Sequence, residues 1–333
     1  MLKVAVIGVG AMGSNHARVF SEIPEAQLVA VSDSSERTAQ HIASRLSVPG
    51  YTDFKEMLAR EKPDAVSIAV PTALHEEVAL AALEEKVHVL IEKPIASTLE
   101  AGRRIIAAAD SVNRKLMVGH IVRFNPAIQV LKRKLDEGQL GRIFQIVCRR
   151  IGPFPDRIQD VGVIVDLAPH DIDIMRYITG NDPMRVYAEI EHRLHTDHED
   201  LLLGVLRFPD NVAGSLEINW LTPTKVREIF VLGELGMFRV DDLTQDLYFY
   251  ENAQVDKVMW PALQTLKGVR EGSMTRYSFL RYEPLKAELQ AFVKCIQDDT
   301  PVPVTGEDSL IALKVSLALI ESGQANQVIK IGQ

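Results

Sequence analysis

Three glycines spaced Gly8-x-Gly10-x-x-Gly13 stand directly behind the apolar run Lys3–Ile7 and open a helical pattern, Met12–Glu22. That order of strand, glycine turn and helix admits few folds. Glycine at 8 permits a tight turn, glycine at 10 lets a ligand approach the backbone, and glycine at 13 lets the helix pack close to the strand. Downstream, the strand candidates Leu28–Ser32, Ala65–Ala69, Val87–Ile91 and Leu116–Val118 alternate with helical segments Ser35–Leu46, Asp53–Ala59, Ala73–Glu85 and Thr98–Ala109. Continuous apolar strands between amphipathic helices predict a parallel sheet covered on both faces, an α/β Rossmann domain over residues 1–122.

The pattern changes at Phe124-Asn125-Pro126. A helix is expected over Ala127–Glu137, ending at Gly138, then a strand over Arg142–Arg150 and a helix from about Val165 to Ile178 closed by Gly180. Strands Arg185–Glu191, Leu201–Phe208, Ala213–Trp220, Glu228–Leu232, Gly236–Val240 and Asp246–Tyr250 follow one another with Pro-Asp-Asn and glycine turn signals. Helices Leu285–Gln297 and Glu307–Glu321 close the chain. Residues 123–333 therefore read as an α+β domain with a large, mostly antiparallel sheet. The length of 333 residues suits two domains. With Lys+Arg 37 against Asp+Glu 45, the net charge of −8 argues against a nucleic-acid partner. Two isolated cysteines, Cys148 and Cys295, form neither a disulfide framework nor a zinc cage, which suits a reducing compartment. No apolar run approaches the ~20 residues of a membrane span, and the N-terminus lacks signal-peptide features, so a soluble cytoplasmic protein is expected.

The turn Gly8-Val9-Gly10-Ala11-Met12-Gly13 has the form that holds a pyrophosphate on the exposed N–H groups of a helix start. Asp33 lies 33 − 13 = 20 residues past the last glycine, at the end of the second strand, where a carboxylate accepts hydrogen bonds from an adenosine ribose. These features point to a dinucleotide, NAD in preference to NADP. Arg37, four positions on, keeps NADP open, because a guanidinium there can pair with a 2′-phosphate.

Glu92-Lys93-Pro94 follows the fifth strand and so sits at the carboxyl edge of the sheet, where such folds bind ligands. A lysine there can hydrogen-bond a substrate hydroxyl. Asp166 and His170, four apart, share a face if the segment is helical. Pro169 argues for a helix starting near Leu167, with Asp166 at its cap. His192, His195 and His198 recur every third residue, but that step alternates faces on a strand, so the segment reads as a solvated loop and no metal site is expected.

In this order, Gly8-x-Gly10-x-x-Gly13, Pro71-x-x-x-His75, Glu92-Lys93-Pro94, Arg123-Phe124-Asn125-Pro126 and Asp166-x-x-x-His170 resemble the glucose–fructose oxidoreductase / inositol dehydrogenase / rhizopine catabolism family over nearly the whole chain. The resemblance implies that the C-terminal sheet is open-faced, that hydride passes between a sugar carbinol and nicotinamide, and that the chain assembles as a homodimer or homotetramer through that sheet. It implies that Val70, Pro71, His75, Glu92 and Lys93 line the cofactor. It also implies that Lys93, Asp166 and His170 are the catalytic and substrate-binding groups, with His170 leading as base, Lys93 polarising the oxygen and Asp166 orienting His170 or substrate. The stretch from Gly152 to Val163 resembles the branch that oxidises the 3-hydroxyl of UDP-N-acetylglucosamine. Arg123, Arg149 and Arg157 are then candidate diphosphate contacts. The alternatives are a dehydrogenase of inositol, another polyol or an aldose, and, in a different class, a non-catalytic nucleotide-binding sensor.

Overall fold

The structure, a computed structural model, describes residues 1–155, 161–194, 197–253 and 270–332 of the chain. It divides into two compact units: Met1–Phe124 with Tyr282–Lys314, and Asn125–Arg281 with Val315–Gln333. The first unit thus takes in a C-terminal segment besides the N-terminal stretch expected for it.

In the first unit, strands and helices alternate: β1 (Leu2–Ile7), α1 (Ala11–Glu22), β2 (Ala26–Ser32), α2 (Glu36–Leu46), β3 (Gly50–Tyr51), α3 (Phe54–Glu61), β4 (Ala65–Ile68), α4 (His75–Glu84), β5 (His88–Glu92), α5 (Leu99–Ser111) and β6 (Leu116–Gly119). The strands form one sheet in the order β3-β2-β1-β4-β5-β6, every pairing parallel. Val4, Ala5, Val6, Val66, Ile68, Val89, Leu90 and Ile91 are buried, as strands covered on both faces must be. Helix starts follow local chemistry. The Ser35, Asp53 and Thr98 side chains accept backbone N–H groups of α2, α3 and α5. The chain order reverses at β1, which pairs with β2 on one side and β4 on the other, and sheets of this kind take their ligands beyond the carboxyl end of such a strand.

The second unit starts with α6 (Pro126–Asp136), where Pro126 occupies the first turn and the Asn125 side chain accepts Ala127 N–H at 2.9 Å. Then come β7 (Ile143–Ile151), α7 (Val163–Thr179), β8 (Arg185–Glu191), β9 (Leu201–Arg207), β10 (Ala213–Asn219), β11 (Val226–Gly233), β12 (Gly236–Asp241), β13 (Asp246–Ala253) and β14 (Arg270–Arg276). The helix α8 (Pro284–Gln297) belongs to the first unit, and α9 (Gly306–Ala325) precedes the short β15 (Ile329–Lys330). The nine strands lie in the order β14-β13-β12-β11-β7-β10-β9-β8-β15, with β7 and β10 parallel and every other pair antiparallel. One face is covered by α7: Ile146, Cys148, Leu202, Leu206, Leu216, Ile218, Ile229 and Val231 are buried. The alternate positions Leu203 and Val205 are half exposed, so the other face is open.

Helix α7 departs from the expected start near Leu167. It begins at Val163 behind Gly162 and runs through Pro169. Its first N–H groups are met from across the unit: the Glu199 carbonyl accepts Val163 N–H at 2.9 Å and the Glu199 carboxylate accepts Ile164 N–H at 3.1 Å. A helix start satisfied this well tolerates one proline, which forfeits a single hydrogen bond. Gly180, in the left-handed region at φ 66°, ends the helix as expected. Among the described residues no helix is long and apolar enough to cross a membrane.

Candidate active site

The glycine turn behaves as its spacing requires. Gly8 has φ 81°, and a Cβ there would lie 2.7 Å from the Ala69 carbonyl oxygen; a Cβ at Gly13 would overlap the Gly8 carbonyl. At Gly10 nothing lies within 4 Å of a Cβ position, so the backbone entering α1 is open to an incoming group. Asp33, just past β2, is fastened to this turn: its carboxylate accepts Val9 N–H at 3.0 Å and Ser35 N–H at 2.9 Å. Ala11 and Met12 form the first turn of α1, and Arg37 is exposed in the first turn of α2. An open helix start with a carboxylate beside it fits a pyrophosphate and a ribose diol.

The end of β5 is fixed from beneath. His16, on the buried side of α1, places Nε2 3.0 Å from a Glu92 carboxylate oxygen and Nδ1 2.7 Å from the Ser67 hydroxyl. The other Glu92 oxygen accepts Lys93 N–H at 3.3 Å. Burial works to raise the Glu92 pKa, but the His16 hydrogen bond and the neighbouring His16 and Lys93 charges outweigh it and hold the group below the usual carboxylate range. His75 is buried, its ring nitrogens 2.9 Å from the Pro94 carbonyl and 3.0 Å from the Val70 carbonyl. Burial lowers its pKa. It ties the segment carrying Val70 and Pro71 to the Lys93-Pro94 segment.

In the second unit, Asp166 lies in the first turn of α7 and His170 one turn on; both are partly exposed. Immediately after His170, Asp171 is buried and takes a two-pronged hydrogen bond from Arg150 on β7, at 2.8 and 2.9 Å. Asp242 lies 3.9 Å from Arg150 and accepts the Asn125 side chain at 2.6 Å. This buried network locks α7, and with it the Asp166 and His170 face, to the sheet.

The expected arginines fall in different places. Arg123 is buried and donates to the Pro303 carbonyl at 3.2 Å and to Asp308 at 3.3 Å. Arg149 faces the open side of the sheet, 2.7 Å from Glu217. Arg157 and His195 lie outside the described residues.

Three groups escaped the sequence reading. His16 follows Gly13 by one helical turn, and that spacing was the only local sign of it. Glu288, on α8, is fully buried, and among the described residues neither of its carboxyl oxygens has a hydrogen-bond partner; burial first, then the Glu92 charge, pushes its pKa well above the usual carboxylate range. Arg227, opposite Arg150 in the β11–β7 ladder, occupies a strand position that otherwise carries buried apolar side chains, and a charge in that register was the available signal.

Residues 2–120 match a family model described as oxidoreductase family, NAD-binding Rossmann fold, and residues 128–239 match the GFO/IDH/MocA C-terminal domain. The chain is 29% identical over 301 residues to the UDP-N-acetylglucosamine 3-dehydrogenase of Acidithiobacillus ferrooxidans, covering 90% of each protein. It is 27% identical over 343 residues to the myo-inositol 2-dehydrogenase of Thermotoga maritima, covering 99% of this chain and 98% of the relative. A solved structure of the Acidithiobacillus enzyme superposes with a TM-score of 0.85 at 27% identity, covering 97% of this chain and 98% of that one.

Proposed function

Since the chain belongs to the GFO/IDH/MocA oxidoreductase family, with an NAD-binding Rossmann domain and relatives that are dehydrogenases of sugar and polyol hydroxyls, we propose that it oxidises a sugar nucleotide, UDP-N-acetylglucosamine, at the 3-hydroxyl. The observation that carries this choice is the likeness to the UDP-N-acetylglucosamine 3-dehydrogenase along 90% of both chains. A polyol such as inositol is the second reading, favoured by the likeness to the myo-inositol enzyme over 99% of this chain.

Bound at this site, NAD+ would supply the hydride acceptor that oxidation of a carbinol carbon requires. Gly8, Gly10 and Gly13 would give its pyrophosphate access to the start of α1, and Asp33 would receive the ribose hydroxyls. The carbinol C–H bond breaks as hydride leaves, the C–O bond becomes a carbonyl, and the hydroxyl proton must pass to a base within hydrogen-bond reach. His170 takes that proton. Lys93 donates a hydrogen bond to a substrate oxygen, and its backbone N–H is held by Glu92, which His16 and Ser67 back. Asp166 orients the sugar or the imidazole. Self-association through the open sheet face is part of this reading, supported by the half-exposed Leu203 and Val205 on that face.

An NAD+ reduction screen over UDP-N-acetylglucosamine, N-acetylglucosamine, myo-inositol and glucose tests the substrate. Turnover is expected with the sugar nucleotide; turnover with inositol alone would replace the first reading by the second. In the same assay, Lys93→Ala and His170→Ala should each lower kcat by ~10²-fold or more while NAD+ still binds, as loss of an acid–base partner does. Near-native rates in both variants would remove the assigned roles.

A further inference from the structure

We propose that Arg227 is the specificity residue that reads an anionic group on the substrate, a phosphate of a sugar nucleotide. The inference rests on the nucleotide-sugar reading above and names the group that would recognise the charge.

Arg227 is the second residue of β11 and stands directly opposite Arg150, the next-to-last residue of β7, on the sheet face that α7 covers. The two guanidinium groups have different fates. Arg150 is buried and fully engaged, doubly hydrogen-bonded to Asp171 and 3.9 Å from Asp242. Arg227 is half-buried, and its hydrogen bonds go only to backbone: one terminal nitrogen, Nη1, donates to the Ile151 carbonyl at 2.6 Å and the Val226 carbonyl at 2.8 Å. No carboxylate among the described residues forms an ion pair with it. Its Nε and Nη2 have no acceptor among them either.

Such a placement is costly unless something compensates it. A guanidinium half removed from water beside a second guanidinium loses hydration and meets a like charge. Burial first, then Arg150, lower its pKa to about 10, ahead of the opposing pulls of Asp171, Asp242 and Asp166, yet it stays cationic at neutral pH. The two backbone carbonyls anchor one arm and leave the rest of the planar fork available, and that fork matches the paired oxygens of a phosphate.

The surroundings suit such a ligand. The carboxyl ends of β7 and β10, the start of β11 and the start of α7 all lie at one end of the sheet: Asn219 pairs with Ile151, Val226 with Ile151, and Glu199, just before β9, holds the first turn of α7. Asp166, in that first turn, is within electrostatic reach of Arg227. Gly152, directly after β7, lies beside this guanidinium: a Cβ there would stand 3.9 Å from Arg227 Nη1. A sugar held by Asp166 would therefore carry a neighbouring phosphate toward a cation whose fork is unspent. Neither Arg123, held by Asp308, nor Arg149, on the opposite face, offers this.

The test is equilibrium binding to the NADH-loaded protein, where no turnover can occur, with UDP-N-acetylglucosamine, UDP and N-acetylglucosamine as probes. Wild type should bind UDP-N-acetylglucosamine more tightly than N-acetylglucosamine. Arg227→Met should shrink that ratio by roughly tenfold or more, and Arg227→Lys, which keeps the charge and loses the fork, should recover part of it. An unchanged ratio in Arg227→Met, or equal weakening of charged and neutral probes, overturns the proposal, and the melting temperature of each variant separates such equal weakening from misfolding. Turnover by wild type is read in parallel. If UDP-N-acetylglucosamine is oxidised but the Met variant keeps its preference, Arg227 is not the reader and the substrate assignment stands. If UDP-N-acetylglucosamine binds through Arg227 without being oxidised, the anion site stands and the assigned activity falls.

Discussion

At the start of β5, the His88 Nδ1 accepts the backbone N–H of Lys115 at 2.9 Å, an interaction that needs that nitrogen unprotonated. Burial, followed by the positive charges of Arg114 and Lys115, lowers the ring's pKa from 6.5 to about 4. The folded protein therefore resists a proton that the unfolded chain accepts. The stability that neutral His88 contributes is whole above pH 6.5 and is lost as the pH falls from there to about 4. Urea-unfolding midpoints should decline through that window in the wild type and decline less steeply in His88→Gln; parallel slopes would exclude His88 as the source. Neither the ring's partner nor its cationic neighbours could be assigned from the sequence, since Lys115 is 27 residues away.

At the scale of the element, α7 depends on a residue far along the chain. Glu199 supplies both its carbonyl and its carboxylate to the first two N–H groups of the helix, and a Cβ at Gly162 would overlap that carboxylate. Glu199→Ala should cost about 1–2 kcal/mol of folding stability, the usual loss for a helix cap. It should also lower kcat, because Asp166 and His170 stand on the turns it secures. Glu199→Gln keeps an acceptor and should recover most of the stability. Denaturant titration checks both variants, and an Ala variant as stable as wild type would deny the cap its role. Pro169 made a later helix start the natural local expectation, and local signals held no trace of Glu199. Where caps were local, at Ser35, Asp53, Thr98 and Asn125, the sequence could be read to within a residue or two.

For the whole molecule, the hydrophobic core of the Rossmann sheet includes Leu285, Leu289, Phe292, Val293 and Val304, which follow every strand of the second sheet in the sequence except the short β15. A fragment ending at Phe124 would expose the apolar surface these side chains cover, at about 25 cal/mol per Å² of lost burial. We therefore expect residues 1–124 alone to lack cooperative thermal unfolding and to be cut rapidly by protease, whereas the full chain resists. A fragment that melts sharply and survives digestion would show that α8 is dispensable.

By itself, the sequence determined the alternation of strands and helices, the glycine turn with Asp33 at its side, and the place of Lys93 directly behind the fifth strand. Each of these follows from periodicity, backbone permissiveness or spacing within a few turns of chain. Tertiary structure alone decided that α8 completes the first core, that Glu199 starts α7, that His16 lies behind Glu92, and that Arg150 is neutralised while Arg227 opposite it is not. Those outcomes depend on which buried charge finds a partner across tens or hundreds of residues, and burial and pairing at that range are settled only when the chain is packed.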